Sequence, residues 1–562
     1  MDSIRDTSTS TTWGEITPYF IGDTAIECVL SSNQTSLAER LRKLSSVANA
    51  IRESSIRGIR DVVVSPDRVT VVYDPLLIDC LDSFEAGVQT AVMQPQPPSN
   101  DGRLHHVPVQ YGGDTGPDFD AVCRSHSIDA KTLIQLHSTP EYLVTAIGFV
   151  PGFPYLQGLP QQLETPRLST PRRRVPAGSV GIGGSQTGVY PFETPGGWHL
   201  IGQTNTTFFD PTHAAPALLQ PGDRVRFHET NDANTAHDHT TASTVDSEAP
   251  KDLTILDPGL MTTVQDLGRS GFRSSGVPYS GAADQISAIL ANNILGNPEN
   301  AAVLEYTLLG PTLQFEADTF IAIAGATNSS LAGLRPIRVR RGETVHLGHT
   351  TKGCRGYLAV AGGICVAPVL NSYSTYVPAK LGGYRGRPLQ AGDQLCMGKP
   401  LVTSFSPTWS LSDTVVPLPS SPCTLRILPE GSISAAHRVI TSTPMNVTAQ
   451  SDRMGIRFDG SLPSLPATSL SRAVLPGTIQ LPPDGKPILL LCDAQTIGGY
   501  PVLGQVIAAD LPRAAQLRPG DTVCFSTTSL TEAHRLLRHQ HDVLATAQQG
   551  ITHTLGLAEK PE

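Results

Sequence analysis

Two stretches of this chain repeat the same glycine landmarks in the same order, and this constrains the fold more than any other feature. The first runs Val175-Pro-Ala-Gly178-Ser-Val, Gly196-Gly197, Gly202, then Leu219-Gln-Pro-Gly222-Asp-Arg-Val-Arg-Phe227. The second runs Val474-Leu-Pro-Gly477-Thr-Ile, Gly498-Gly499, Gly504, then Leu517-Arg-Pro-Gly520-Asp-Thr-Val-Cys-Phe525. Gly178 to Gly222 spans 44 positions and Gly477 to Gly520 spans 43. Four landmarks kept in order at matched spacing imply two copies of one module. Each Gly-Asp step reads as a tight turn, because glycine supplies the positive φ and the carboxylate accepts from nearby backbone donors. Turns of this kind feeding short apolar strands predict a barrel or sandwich. Similar turns at Arg341-Gly342-Glu343 and Ala391-Gly392-Asp393 hint at a third, diverged copy.

Composition agrees with strands and turns. The 562 residues hold 51 Gly and 46 Pro, and only 16% are charged. That argues against helical bundles, coiled coils and helical solenoids, and the length calls for several domains. The net charge of -9 and the lack of a long basic block exclude a nucleic-acid binder; Pro171-Arg172-Arg173-Arg174 is a short cluster only. No 18-residue apolar run predicts a membrane span. Residues 1–12 are Ser/Thr-rich without an apolar segment, and nine scattered Cys form no Cys-x-x-Cys, so a cytoplasmic protein with reduced thiols and no metal site is expected.

The expected organisation is a disordered start (1–15), a first half (16–228), a linker (229–251) and a second half (252–550). Within the first half, 16–92 reads as a small β-α-β-β-α unit whose second helix covers about 76–92, and 105–228 as a β-barrel. Leu37, Leu41, Leu44, Ala48 and Ile51 fall on one helical face. The PQPPSN segment (95–100) is a spacer. In the second half, 252–400 and 422–528 read as β-barrel subdomains, followed by a helix over 529–548 with a capping box at Ser529 and Glu532. His237 and His239 sit in the polar linker, where exposed His is the simplest reading.

No phosphate-binding loop, dinucleotide fingerprint, H-E-x-x-H, G-x-S-x-G or biotinyl Met-Lys-Met occurs. The polar residues that could do chemistry lie in three Gly/Pro-rich tracts. Tract one spans 148–204, from GFVPGFPYLQGL through VPAGSVGIGGSQTGVYP to PGGWHLIGQT. Tract two spans 257–305, with PGLMTTVQDLGR, SGAAD, AN and LE. Tract three spans 451–501, with SDRMG, PGTIQLP and DAQTIGGYP.

These strings carry a family resemblance. The first half resembles the carboxyltransferase C/D-type domain, also called allophanate hydrolase subunit 1 or the Kip inhibitor type. The second half resembles the A/B-type domain, allophanate hydrolase subunit 2. Together the matches cover about 16–525. The resemblance implies mainly β structure with α+β parts, in cyclophilin-like β-barrel modules. It also implies a component of an ATP-dependent amide or lactam hydrolase similar to 5-oxoprolinase. In that reading the chain corresponds to the B and C subunits of 5-oxoprolinase, fused, and opens 5-oxo-L-proline to L-glutamate beside a partner like the A subunit. One alternative is a biotin-dependent carboxyltransferase acting on urea-like substrates, with biotin in trans. Another is a non-catalytic Kip-type regulatory protein. ATP enters only through the resemblance. A homo-oligomer is compatible with all three.

Both enzyme readings act on N–C=O. Such a site needs donors at the carbonyl oxygen and an acid or base at nitrogen. His199, Arg453 and Asp493 are the expected catalytic residues. Gln186, Tyr190, Trp198, Gln480, Gln495 and Tyr500 are expected to bind substrate. Asp266, Arg269 and Asp284 serve either binding or a structural salt bridge. The chain departs from the family pattern at Gln203 (usually Arg or Lys), Asn371 and Tyr373 (usually Gly and Arg), Ala283 (usually Met) and Cys365 (usually Asp). Two lost basic residues bear on anion recognition.

Overall fold

The computed structural model describes residues 15–31, 35–94, 102–231, 251–405, 409–431, 433–466 and 470–557. The two candidate linker histidines, most of the linker and the PQPPSN spacer lie outside the described residues.

The N-terminal unit is a four-stranded antiparallel sheet in the order Ile16–Ile21, Ala25–Leu30, Arg68–Tyr73, Ile59–Ser65. Helix Leu37–Glu53 starts at a capping box between Ser36 and Glu39 and buries Leu41, Leu44, Ala48 and Ile51 against it. One strand more than the expected pattern is present, at Ile16–Ile21. The second helix covers Leu81–Met93 and not 76–92. The Asp74 carboxylate accepts from the Leu76 N–H and holds a turn through Pro75, so the helix starts after Cys80.

The first barrel has seven strands and is closed. Its order is Tyr142–Ile147, Arg224–Glu229, Leu104–Tyr111, His199–Gln203, Ser179–Gly183, Gln186–Val189, Pro154–Gln157, which pairs back to the start. The second barrel has the order Met445–Asn446, Thr522–Thr527, Cys423–Pro429, Val502–Val506, Thr478–Gln480, Ile488–Leu490, Gly455–Arg457. Read by chain order, the two sequences of strands are the same. In both, the first strand runs parallel to the last while its other neighbours are antiparallel. Both add a two-stranded ribbon at matched positions, Arg172–Val175 with Thr194–Gly196 and Arg472–Ala473 with Ile497–Gly498. The second barrel closes only through one bridge, Val447 to Phe458. The glycine echo is therefore a repeated topology, with Gly222 and Gly520 at φ 98° and 91°.

Between the barrels lies a unit of two five-stranded sheets enclosing Leu304, Leu313, Phe315, Ile323 and Leu358. Its first strand, Leu253–Asp257, runs antiparallel to the late strand Gln394–Met397. The expected third copy is thus not of the same topology. Gly342 and Gly392 do take φ 80° and 87°, but a Gly-acid turn is a local device that any β-unit can use. Helix Gln285–Ile294, capped by Asp284, packs on one sheet beside the C-terminal helix Leu530–Leu555. That helix outruns the expected end at 548 because Ile551 and Leu555 remain packed in the same cluster. Half of its capping box forms: Ser529 accepts from the Glu532 N–H, whereas the Glu532 carboxylate pairs with Arg535.

Candidate functional site

The three Gly/Pro tracts converge where the halves meet. Tract one touches tract two through the Gly152 N–H and Ser275 carbonyl at 2.9 Å. A Cβ on Gly276, at φ 80°, would lie 2.8 Å from the Val150 carbonyl. Tract one touches tract three where a Cβ on Gly148 would lie 2.4 Å from the Ile497 side chain. Tract two donates from the Ser280 N–H to the Cys492 carbonyl at 3.0 Å in tract three. Glycine is required here because backbones approach closer than any side chain allows.

Charged groups lock this junction. Arg453 bonds Asp493 through Nε at 2.8 Å and Nη2 at 3.2 Å, bonds Glu305 through Nη1, and donates to the Gly281 carbonyl at 2.7 Å. Burial pushes the Glu305 carboxyl up, but Arg453 and Arg355 beside it hold it below its ordinary value. Arg453 and Asp493, expected to act on substrate, are spent on each other and on packing one unit against the next. Asp266 accepts from the Gly268 and Tyr373 N–H groups and the Ser372 and Ser374 hydroxyls. That places it as an organiser of the loop in which Asn371 and Tyr373 depart from the family pattern. Asp284 accepts from Ser287 and from Gln516 at 2.7 Å, and burial raises its carboxyl to about 6.

The N-terminal unit is tied to the second half in the same way. The Asp61 carboxylate accepts from the Gly271 and Arg273 N–H groups. Asp23 accepts from the Ala508 N–H, and Arg472 pairs with Glu430 and lies 3.6 Å from Glu27.

The first-half candidates form a separate group on the first barrel. Tyr190 and Trp198 are buried with Phe153 in an edge-to-face cluster, and burial raises the Tyr190 phenol to about 12. Gly183 lies flat beneath the Trp198 indole. Arg167 stacks over that indole at 5.9 Å. His199 is half-buried and its Nε2 meets the Pro166 carbonyl at 3.0 Å; Gln186 opens a strand one removed, across Ser179–Gly183. In the second barrel, Gln480 is buried with its Nε2 unpartnered, and its Oε1 accepts from Gln495 at 3.3 Å. Tyr500 is exposed. These residues are not gathered with His199 into one constellation.

Arg269 is different. It is 1% exposed and reaches only backbone carbonyls, of Val369 and Ser374, and its Nη1 has no partner. Burial pulls its guanidinium down to about 10 against the pull of Asp266 and Asp493. The nearby buried Tyr376 hydroxyl is also unpartnered.

At the outer side of the junction lies a cavity of about 320 Å³, shared by the N-terminal unit, tracts two and three, and the C-terminal helix. Its walls are mostly apolar. The expected site residues do not line it; their sequence neighbours do. Leu267 and Ser270 stand beside Asp266 and Arg269, Ala283 and Gln285 beside Asp284, and Cys492 beside Asp493. Tyr73, Ser280, Tyr376 and His137 were not singled out from sequence. His137 sits inside the first barrel between the Tyr111 and Thr187 hydroxyls, with its pKa lowered to about 3 by burial. A lone His or Ser in a turn-rich sequence carries no motif; only the enclosing fold distinguishes it.

Among the described residues no group of three or more His, Cys, Asp or Glu is placed to hold a metal ion, and no helix is long and apolar enough to cross a membrane. The seam cavity does not fit ATP. The cavity wall holds one arginine, Arg60, already paired with Asp74 at 2.5 Å. A triphosphate needs several cationic or backbone donors together.

Comparison with known proteins agrees with this architecture. Residues 16–219 match the carboxyltransferase domain, subdomain C and D, and residues 275–527 match subdomain A and B. The first half is 41% identical over 218 residues to the 5-oxoprolinase B subunit of Escherichia coli O157:H7, covering 94% of that protein and 37% of this chain. The second half is 38% identical over 296 residues to the 5-oxoprolinase C subunit of Haemophilus influenzae, covering 94% of it and 50% of this chain. Urea amidolyase of Saccharomyces cerevisiae is 31% identical over 331 residues, 54% of this chain but 18% of that protein. The crystal structure of TTHA0988 superposes with a TM-score of 0.78 at 32% identity, covering 89% of this chain and 99% of that one.

Proposed function

Given that this chain belongs to the carboxyltransferase-domain family, with a C/D-type half followed by an A/B-type half, we propose that it is the fused B–C component of a 5-oxoprolinase-type enzyme. It would open 5-oxo-L-proline to L-glutamate together with a partner like the 5-oxoprolinase A subunit. The observation that carries this reading is collinearity. One chain contains, in order and almost whole, the counterparts of two proteins named as subunits of one enzyme. The buried bonds of Asp61 to the Gly271 and Arg273 N–H groups and of Asp23 to the Ala508 N–H join the two halves and support their acting as one body.

The site chemistry divides accordingly. ATP is assigned to the partner, since the one arginine of the seam cavity, Arg60, is already paired with Asp74. This chain supplies the lactam environment: buried hydroxyls and an under-neutralised guanidinium at the meeting of the tracts. Such groups can orient a carbonyl and stabilise charge that develops on its oxygen. His199 and Gln186, on the first barrel, are left for contact with the partner or its product. Affinity purification of the chain from its native cell tests the partnership. Recovery of an A-type 5-oxoprolinase protein supports it, and recovery of a kinase in its place supports the regulatory reading.

The urea amidolyase similarity favours a second reading, carboxyl transfer to a urea-like substrate with biotin supplied in trans. Incubation of the pure chain with free carboxybiotin and urea decides it: consumption supports transfer, and an unchanged level refutes it.

A further inference from the structure

Two cysteines face each other at the edge of the central unit. Cys365 ends the two-residue strand Ile364–Cys365, which forms the edge of its sheet against Gln394–Met397. In that antiparallel pairing Cys365 is the direct partner of Cys396. Direct partners project to the same face of a sheet, with Cα atoms about 4.5–5.5 Å apart. A disulfide bridges a Cα separation of about 4.4–6.8 Å. The two thiols already lie within hydrogen-bonding reach of each other. All nine cysteines are free, and among the described residues no other two are strand partners.

A reagent in solution can reach this pair. Cys365 is exposed and Cys396 is half-buried. Burial, then the Cys365 thiol and the Asp252 carboxylate, push the Cys396 thiol above its ordinary value. Cys365 is therefore the sulfur that a reagent meets first, and Cys396 the one that follows. After Cys365 the chain enters segment 366–375. There the Val369 and Ser374 carbonyls accept from Arg269, and the Ser372 and Ser374 hydroxyls and the Tyr373 N–H hold Asp266. A two-residue edge strand anchors the start of that segment through few ladder bonds, so local opening is easy there. A covalent link at Cys365 removes that freedom.

We propose that Cys365 and Cys396 form a reversible oxidation site that takes a small disulfide as its oxidant, and that closing the bond steadies the segment holding Arg269 and Asp266. The Cys365 thiolate attacks one sulfur of the small disulfide, whose S–S bond breaks and releases the first small thiolate. Cys396, on losing its proton, attacks the Cys365 sulfur and displaces the second. The protein dithiol is oxidised by two electrons, and the small disulfide is reduced to two thiols that take up the two protons. Excess dithiol runs the same exchange backwards.

The test uses the reduced full chain carrying Cys80→Ser, which removes the other exposed cysteine while its hydroxyl keeps the cap on the Ser83 N–H. The folded chain is incubated with oxidised glutathione and its peptides are mapped by mass spectrometry without reduction. The expected product is a peptide pair linked through Cys365 and Cys396, with no glutathione retained on either and both thiols restored by dithiothreitol. Adding Cys396→Ser arrests the reaction at one glutathione on Cys365, and adding Cys365→Ser abolishes the link. Hydrogen exchange of peptides covering 366–375 slows several-fold in the linked chain, recovers on reduction, and does not slow in the Cys396→Ser chain. A stable glutathione adduct on Cys365 beside a free Cys396, a link to any other cysteine, or no reaction at either residue overturns the oxidation site. A link formed without slower exchange in 366–375 refutes its effect on the segment.

Discussion

Arg453 and Asp493 form a two-toothed buried ion pair inside the second barrel, with Nε to Oδ2 at 2.8 Å and Nη2 to Oδ1 at 3.2 Å. The third arm of the guanidinium crosses to Glu305 of the central unit. Removing one partner of a buried pair leaves the other charge stranded, at a cost of about 3–5 kcal/mol. Arg453→Met should therefore lower the denaturant midpoint severely, while Arg453→Lys, which keeps the charge but not the fork, recovers part of the loss. Equilibrium unfolding in urea measures both. A midpoint unchanged in Arg453→Met would show that the pair is not a lock.

His137 should set part of the acid sensitivity. Its folded pKa of about 3 lies below the ordinary 6.5 because burial penalises the charged ring. As pH falls through 6.5 the unfolded chain takes up a proton that the folded chain refuses. Stability is then lost progressively down to about pH 3, by on the order of 5 kcal/mol in all. His137→Gln keeps hydrogen bonding to Tyr111 and Thr187 but cannot titrate. Its midpoint should fall less steeply than wild type between pH 6.5 and 4, measured by thermal unfolding.

Asp23 acts in the opposite direction. Burial raises its carboxyl to about 6. Between about pH 4 and 6 the unfolded chain releases a proton that the folded chain retains, so folding is disfavoured as pH rises through that window. The cost reaches about 3 kcal/mol above it. Asp23→Asn keeps an acceptor for the Ala508 N–H. Its thermal midpoint relative to wild type should climb from pH 4 to pH 7 and level off.

Gly148 packs directly against Ile497 of the other half. A methyl there would meet Ile497 at 2.4 Å, so Gly148→Ala should destabilise by about 1–3 kcal/mol through overpacking. Adding Ile497→Val, which trims the facing side chain, should restore part of the loss. That rescue, read by urea unfolding, places the effect at the seam.

How much of this was legible in sequence depends on how local the signal is. Gly178, Gly222, Gly477 and Gly520 sit in tight turns, and turns are local, so the repeated barrel could be read from their order. The same locality misled at Gly342 and Gly392, whose turns are alike but whose sheets are joined differently. Asp284 reads in sequence as a binding or salt-bridge residue, whereas in the fold it caps the helix Gln285–Ile294. Charged residues in tract two and tract three were recognised as unusual, but charge alone does not tell a lock from a binding site. Arg453 meets Asp493 across 40 residues of chain and Glu305 across 148, distances no motif spans. Tyr73 and Ser280 come from different halves, and their isolation appears only once the seam closes over them.

The central claim is that this chain serves ATP-dependent opening of a lactam with a partner. It is tested most directly by mixing the purified chain with an A-type 5-oxoprolinase protein, ATP and 5-oxo-L-proline and measuring L-glutamate. Glutamate that requires all four components is the predicted result. No glutamate with the partner recovered from the chain's own cell would contradict it.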